Sequence, residues 1–153
     1  MLITFHENIG HSRAWAFVPD CLAELLREGL SQPQYQGPVW NDAALICTNE
    51  FHEYLGHIAY RPDAMRSGWW IMQAYTRPTA RRQGVHAALF RALAKRAREK
   101  GDVLSIDSGT HVDNLVAQKS FEKQGRMPIG ILYEYRLGEH IKGEDVYKDG
   151  KQA

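Results

Sequence analysis

Cysteine is nearly absent from this chain: Cys21 and Cys47 are the only two, far apart and in unlike contexts. That scarcity excludes a disulfide framework and fits buried or idle thiols in a reducing compartment, so the expected location is cytoplasmic. Charge of one sign is missing as well. A net charge of +1 with a pI near 7.8 gives no global pull toward nucleic acid or an anionic membrane, so any anion site must be local. No apolar run approaches the ~18 residues of a membrane span. The N-terminal "MLITFHENIG" has neither a basic start nor the sustained apolar run of a leader, and no membrane partner is expected. Zinc-ligand spacing is lacking too: His52 and His57, five apart, would face different sides of a strand pair, so no metal is expected. No repeat, low-complexity segment or linker interrupts the 153 residues, a length that suits one domain with one core.

What is present is apolar periodicity. "MLITFH" reads as a first strand, and "PDCLAELLREGL" sets Leu22, Leu25, Leu26 and Leu30 at helical spacing. "SQPQYQGPVWND" has loop chemistry, and its Tyr35 and Trp40 mark it as a substrate-facing loop. "AALICTN", "YLGHIAYRPD" and "WWIMQAYT" follow as three strands of an antiparallel meander. From Val85 to Lys100 a helix is predicted, with Val85, Ala88, Leu89, Ala92 and Leu93 on its apolar face. "VLSIDS" has the pattern of a buried strand, and "DNLVAQKSFEKQG" that of a helix capped by Asp113 and ended by Gly125. "ILYEYRL" reads as a final strand before a polar tail with little to bury. The fold class is therefore α/β, a mixed, mostly antiparallel twisted sheet flanked by helices.

The stretch Thr79–Phe90, "TARRQGVHAALF", lies where the strands give way to the long helix. The first amides of a helix have no partner within it, and the helix dipole adds positive charge, so this turn is a natural phosphate cradle. Gly84 permits close approach of a ligand to the backbone, and Arg81 and Arg82 bring full charges. The Gly-Lys-Ser/Thr ending of a Walker A loop is missing, and a single glycine does not make a dinucleotide fingerprint. Taken alone, the stretch also suits a solvated arginine pair in a helix-entry turn.

A wider window carries more. "YTRPTARRQGVHAALFRALAKRA" resembles the acetyl-CoA-binding segment of the GNAT superfamily of N-acetyltransferases, whose pattern is a strand, a V-x-P-like step, then Gln/Arg-x-x-Gly-x-Gly/Ala opening a long helix. Arg81 and Gly84 match the first and fourth positions, and Thr76-Arg77-Pro78 occupies the step. Downstream, "DNLVAQKSFEKQG" resembles the family's Asn-x-x-Ala-x-x-x-Tyr-x-Lys-x-Gly helix, with Asn114, Ala117, Lys123 and Gly125 in register. The resemblance spans about residues 43–137 as a cofactor-binding core, with 1–42 a loosely matched substrate side and 138–153 a polar tail of one acetyltransferase-like domain, 1–153. It implies acetyl-CoA as acyl donor. The amides of Arg82, Gln83, Gly84, Val85, His86 and Ala87, beside Arg81, would hold its pyrophosphate. The strand edge at Ala74, Tyr75 and Thr76 would pair with its pantetheine arm, which Asn114 would also bind. Phe121 and Lys123 would border the cofactor.

The departures from the pattern bear on mechanism. His86 stands where Gly or Ala is usual, so its side chain must point away from the phosphates, alter the cradle or contact the cofactor. The family's tyrosine, which can protonate the leaving thiolate, falls on Phe121, which has no proton to give. The strand positions that often carry a Glu or His base fall on Trp70 and Met72, with Gln73 and Tyr75 on the opposite face. Substitutes for the base are His57, Asp107 and His111, and for the acid Ser108, Ser120, Tyr133 and Tyr135. Each of these residues also has an ordinary structural role open to it: His57 alternates with apolar neighbours, and Asp107 could simply hold a turn.

Trp69 and Trp70, with Tyr35, Trp40 and Tyr54, either line an acceptor pocket or form core. The stripe Arg91, Lys95, Arg96, Arg98 and Lys100 could meet nucleic acid, but Glu99 dilutes it and a solvated helix face has the same look. The reading is an N-acetyltransferase acting on a small-molecule or protein amine. A catalytically weak CoA-binding regulatory module and a nucleic-acid-binding protein are the alternatives. Homodimerisation would use the final strands and the tail.

Overall fold

The computed structural model describes residues 1–31 and 37–133. Its strands are β1 (Leu2–His6), β2 (Ala43–Thr48), β3 (Tyr54–Asp63), β4 (Gly68–Thr76) and β5 (Ser105–Asp107), and its helices are α1 (Val18–Arg27), α2 (Val85–Lys100) and α3 (Leu115–Lys123). The sheet runs in chain order β1-β2-β3-β4-β5. It is mixed: β1 through β4 pair antiparallel and β5 joins β4 in parallel across the α2 crossover.

Two apolar layers cover the two faces. On one, α2 sets Val85, Leu89, Leu93 and Ala97 against Leu45, Cys47, Ile58, Tyr60, Trp69 and Ile71. Their i, i+4 spacing makes one stripe, and each fully buried leucine contributes about 1.5–3 kcal/mol. On the other face Ile9, Ala14, Val18 and Cys21 pack on Ala44, Ile46, Tyr54, Ala59 and Tyr75. The stripe of α1 is Val18, Cys21, Leu22 and Leu25, whereas Leu26 is 66% exposed, one step round the helix from that face. The two thiols are free and lie on opposite faces. Burial pushes Cys21 up to about 12 and also raises Cys47, so both are protonated packing groups.

The alternation expected along β4 is broken by one residue. The register with β3 steps from Ala59↔Gln73 to Tyr60↔Ile71, which makes Met72 an extra residue in β4. Trp69 and Ile71 therefore join the α2 layer, while Gln73 and Tyr75 turn to the α1 layer. The inward positions are these four and not Trp70 and Met72; Trp70 is 37% exposed.

β5 is shorter than "VLSIDS" suggested. Its pairing with β4 covers Gly68↔Ser105 to Trp70↔Asp107 and stops. A Cβ on Gly68 would stand 2.5 Å from Ser105 Oγ, so the glycine lets the strands close there, and two residues past the last pair the Trp70 indole lies against Gly109. Beyond that point, among the described residues, no strand pairs with β4 on this side. α3 is capped by Asn114, whose Oδ1 accepts from the Ala117 N–H at 3.1 Å, and not by Asp113, whose own N–H donates to His111 Nδ1. Of the expected last strand, Ile131, Leu132 and Tyr133 are exposed and belong to no strand. The rest of it, including Tyr135, lies outside the described residues, as do Tyr35 and the tail.

Candidate active site

The loop from Arg77 to Gly84 carries the chain from β4 into α2. It begins with a 3-10 turn over Pro78–Ala80 and then takes up left-handed backbone at Arg82 (φ 62°) and Gly84 (φ 80°). The first backbone bond of α2 runs from the Ala88 N–H to the Gly84 carbonyl at 2.9 Å, so the amides ahead of it have no acceptor inside the helix. A Cβ on Gly84 would meet nothing within 4 Å, so its glycine answers to backbone conformation and leaves the cradle open. The reverse holds at Gly56 on β3, where a Cβ would stand 2.5 Å from the Tyr75 carbonyl oxygen and 3.1 Å from Val85 Cγ1. That missing side chain is what lets the end of β4 and the first turn of α2 sit against β3.

The side chains of the loop have separate tasks. Gln83 Nε2 donates to the Thr79 carbonyl at 3.1 Å and fastens the turn to itself. Arg82 is exposed and makes no ion pair among the described residues. Arg81 is turned away from the cradle: its Nη2 grips Glu24 of α1 at 2.5 and 2.7 Å, and its Nε donates to the Thr76 carbonyl at 3.1 Å. One of the two charges expected at the cradle is thus spent on tying α1 to the end of β4. The His86 ring points to α3, where Gln124 Nε2 donates to its Nδ1 at 3.0 Å and Ser120 Oγ lies at 3.3 Å. Burial, and then the nearby Arg126, push its pKa down, so the imidazole is a neutral acceptor and its amide stays in the cradle.

Beside the cradle, the backbone of Ala74, Tyr75 and Thr76 pairs with Ile58, His57 and Gly56 through one edge. The other edge lies past the end of the β5 pairing, and among the described residues the space beside it, the cleft, holds no strand. Asp107 and Ser108 stand at its apex, opposite and just beyond Trp70. Asp107 Oδ2 accepts from Ser105 Oγ at 2.9 Å and lies 3.5 Å from Arg66 Nη1, while Ser108 Oγ accepts from Arg126 Nη2. Phe121 faces this region from α3, and Arg126 covers its ring. Asn114 uses its carbonyl oxygen on the helix cap, leaving its NH₂ to donate, and Lys123 is exposed in the last turn of α3.

Of the acid–base candidates among the described residues, only Asp107 and Ser108 are brought together at the cleft. Tyr133 is 88% exposed beyond α3. Ser120 is taken up with His86, and His111 lies in the turn before α3. His57 is fully buried in the α1 layer. The Tyr54 hydroxyl lies 2.6 Å from its Nδ1, Gln73 Oε1 lies 2.8 Å from its Nε2, and Gln73 Nε2 donates to the Val18 carbonyl at 3.5 Å. One assignment satisfies the whole chain: Tyr54 O–H donates to Nδ1, and the Nε2–H donates to Gln73. With both nitrogens engaged, His57 presents no lone pair to the cleft. Burial lowers its pKa to about 4 against the opposing Gln73 hydrogen bond, and burial likewise raises that of Tyr54.

Sequence reasoning missed Gln73, Glu24 and Arg126. The partners of Glu24 and Gln73 lie 57 and 16 residues away, with no local signature. For Arg126 a signal existed: Gly125 after a helix predicts a left-handed terminus that folds the next residue back.

The sequence profile of the acetyltransferase (GNAT) family matches residues 14–125. No curated protein matches the chain. Among solved structures, the aminoglycoside N-acetyltransferase AAC(6')-Iy in complex with CoA superposes with a TM-score of 0.63 at 20% identity, covering 88% of this chain and 98% of that one. A ribosomal-protein-alanine N-acetyltransferase from Brucella melitensis biovar Abortus gives 0.60 at 18% identity, covering 90% and 100%. At these identities the likeness is one of fold.

Proposed function

Because the chain belongs to the acetyltransferase (GNAT) family, we propose that it transfers the acetyl group of acetyl-CoA to an amine by direct attack in a ternary complex. The observation that carries this is the open cradle at the start of α2, with left-handed Arg82 and Gly84, lying beside Ala74–Thr76 of β4, which among the described residues no strand pairs on the side of β5. Those features fit a ligand with an anionic head and an extended amide arm. The amides of Arg82 to Ala87 would hold the pyrophosphate, with Arg82 adding charge. The β4 edge at Ala74–Thr76 and the Asn114 NH₂ would hold the pantetheine arm. Phe121 would border it, and Lys123 would lie on the phosphate side. Arg81 acts here as a positioning residue through Glu24 and Thr76.

Bound acetyl-CoA supplies an activated acyl group, and the protein supplies alignment and proton handling. Asp107 would accept the amine proton through water, and Ser108 would hydrogen-bond at the apex with its own proton free, because Arg126 occupies its oxygen as donor. Acceptors fall into the two amine classes that the structural neighbours act on, small molecules such as aminoglycosides and protein alanine termini. Residues 1–153 would act as one domain, in the cytoplasm, where the two free thiols stay reduced.

A second reading, a CoA-binding module with little turnover, is favoured by Phe121 in place of a proton donor and by the occupied nitrogens of His57. The test is isothermal titration of acetyl-CoA, desulfo-CoA and ATP into the wild type and Gly84→Glu. Selective binding of the CoA compounds, lost at least tenfold in a folded Gly84→Glu variant, is the expected result. A folded wild type that binds no CoA overturns the proposal. Binding without turnover over a broad amine panel selects the second reading.

A further inference from the structure

Arg126 is held in place by the end of α3. Gly125 adopts φ 77°, the Gly125 N–H bonds to the Glu122 carbonyl at 3.0 Å, and the Arg126 N–H bonds to the Phe121 carbonyl at 3.1 Å. These two bonds form a Schellman motif, which normally closes with an apolar contact between the residue after the glycine and the one five earlier. Here that contact is a guanidinium on a ring: Arg126 Cζ lies 3.9 Å from the Phe121 centroid and 5.0 Å from that of Phe90 on α2. Its Nη2 reaches Ser108 at the apex of the cleft. Among the described residues Arg126 forms no ion pair; Asp107, the acid whose charge it feels, is engaged by Ser105 and Arg66. A half-buried cation fixed by two aromatic faces and one hydroxyl, with Asp107 near it but committed to other partners, is poised for a negative charge that arrives from outside the protein.

We propose that Arg126 stabilises the thiolate that forms on CoA during acyl transfer, in place of the proton that Phe121 has no means to give. The inference rests on the acetyltransferase reading. The amine nitrogen forms a bond to the acetyl carbon, the carbon–sulfur bond breaks, and its electron pair goes to sulfur. The amine loses its proton to water or Asp107. Arg126 keeps its own proton and faces the developing charge, and solvent protonates the sulfur after release. A preorganised cation acts at the moment the charge develops, without the reorganisation that water would need.

The effect can be read without turnover, because a cation near the bound thiol favours its ionised form. We would saturate the protein with CoA, follow thiolate absorbance against pH in the wild type, Arg126→Met and Arg126→Lys, and measure CoA affinity in parallel. The wild type is expected to hold the bound thiol at a pKa about 1 unit or more below that in Arg126→Met, with Arg126→Lys between them. Arg126→Gln, which can still bond Ser108 but has no charge, serves if the Met variant does not fold, and is expected to match it. Equal thiol acidity in the wild type and the uncharged variants, with CoA bound, overturns this role and leaves the acetyltransferase reading intact. Failure of the folded wild type to bind CoA overturns both.

Discussion

A histidine sealed between a phenol and an amide makes the native state sensitive to acid. The pKa of His57 is depressed, from 6.5 to about 4 in the fold, so between those values the unfolded chain takes up a proton that the native state refuses. Its contribution is fully present above pH 6.5 and is lost as pH falls toward 4, at a total cost of roughly 3 kcal/mol. Urea unfolding at pH 7 and pH 5 should show the wild type losing stability, and His57→Leu, though less stable at pH 7, should lose less of it over the same interval. An unchanged pH slope in His57→Leu would assign the acid sensitivity elsewhere. The sequence exposed His57 as a histidine among apolar neighbours, and that alone left both a base and a core residue open. What decides is Tyr54 arriving on the same face three positions away. A two-residue repeat would put it on the other face, but the β2–β3 register shifts between Cys47 and Thr48.

At the scale of elements, the long helices were legible in local signals, whereas couplings between elements were not. The α2 periodicity and the glycine at its mouth are written within one window, and both have the expected form. Helix α3 was also legible, apart from the shift of its cap by one residue from Asp113 to Asn114, since both side chains suit that position. The Arg81–Glu24 grip was hidden because it spans 57 residues, and nothing near Arg81 distinguishes a cradle charge from a tether. Gly56 carried a usable signal, since a glycine inside a strand points to another backbone coming close. Gly56→Ala should force the Tyr75 carbonyl and Val85 apart, cost roughly 1–3 kcal/mol of stability, and weaken CoA binding by displacing the cradle. Chemical denaturation with parallel titration checks both. Normal CoA affinity in a destabilised variant would separate the packing role of Gly56 from the cradle.

For the whole molecule, the cradle, the β4 edge and α3 belong to three segments that only the folded chain brings together, so a ligand bridging them should stabilise the fold as a unit. CoA at about 100 times its dissociation constant should raise the unfolding free energy by about 2.7 kcal/mol. A thermal melt reads this directly, and Gly84→Glu should show no such gain at the same concentration. The extra residue at Met72 also marks where such a chain can change length over generations. Loss of that codon would remove the bulge and leave Ile71 opposite Tyr60 and Gln73 opposite Ala59, so both faces would keep their side chains. Loss of the Ala74 codon would instead set Tyr75 opposite Ile58 and turn it toward the leucines of α2. Length variation in this lineage is therefore expected in the loops and at the bulge, and not along the rest of this strand, where the reading frame of the fold is set.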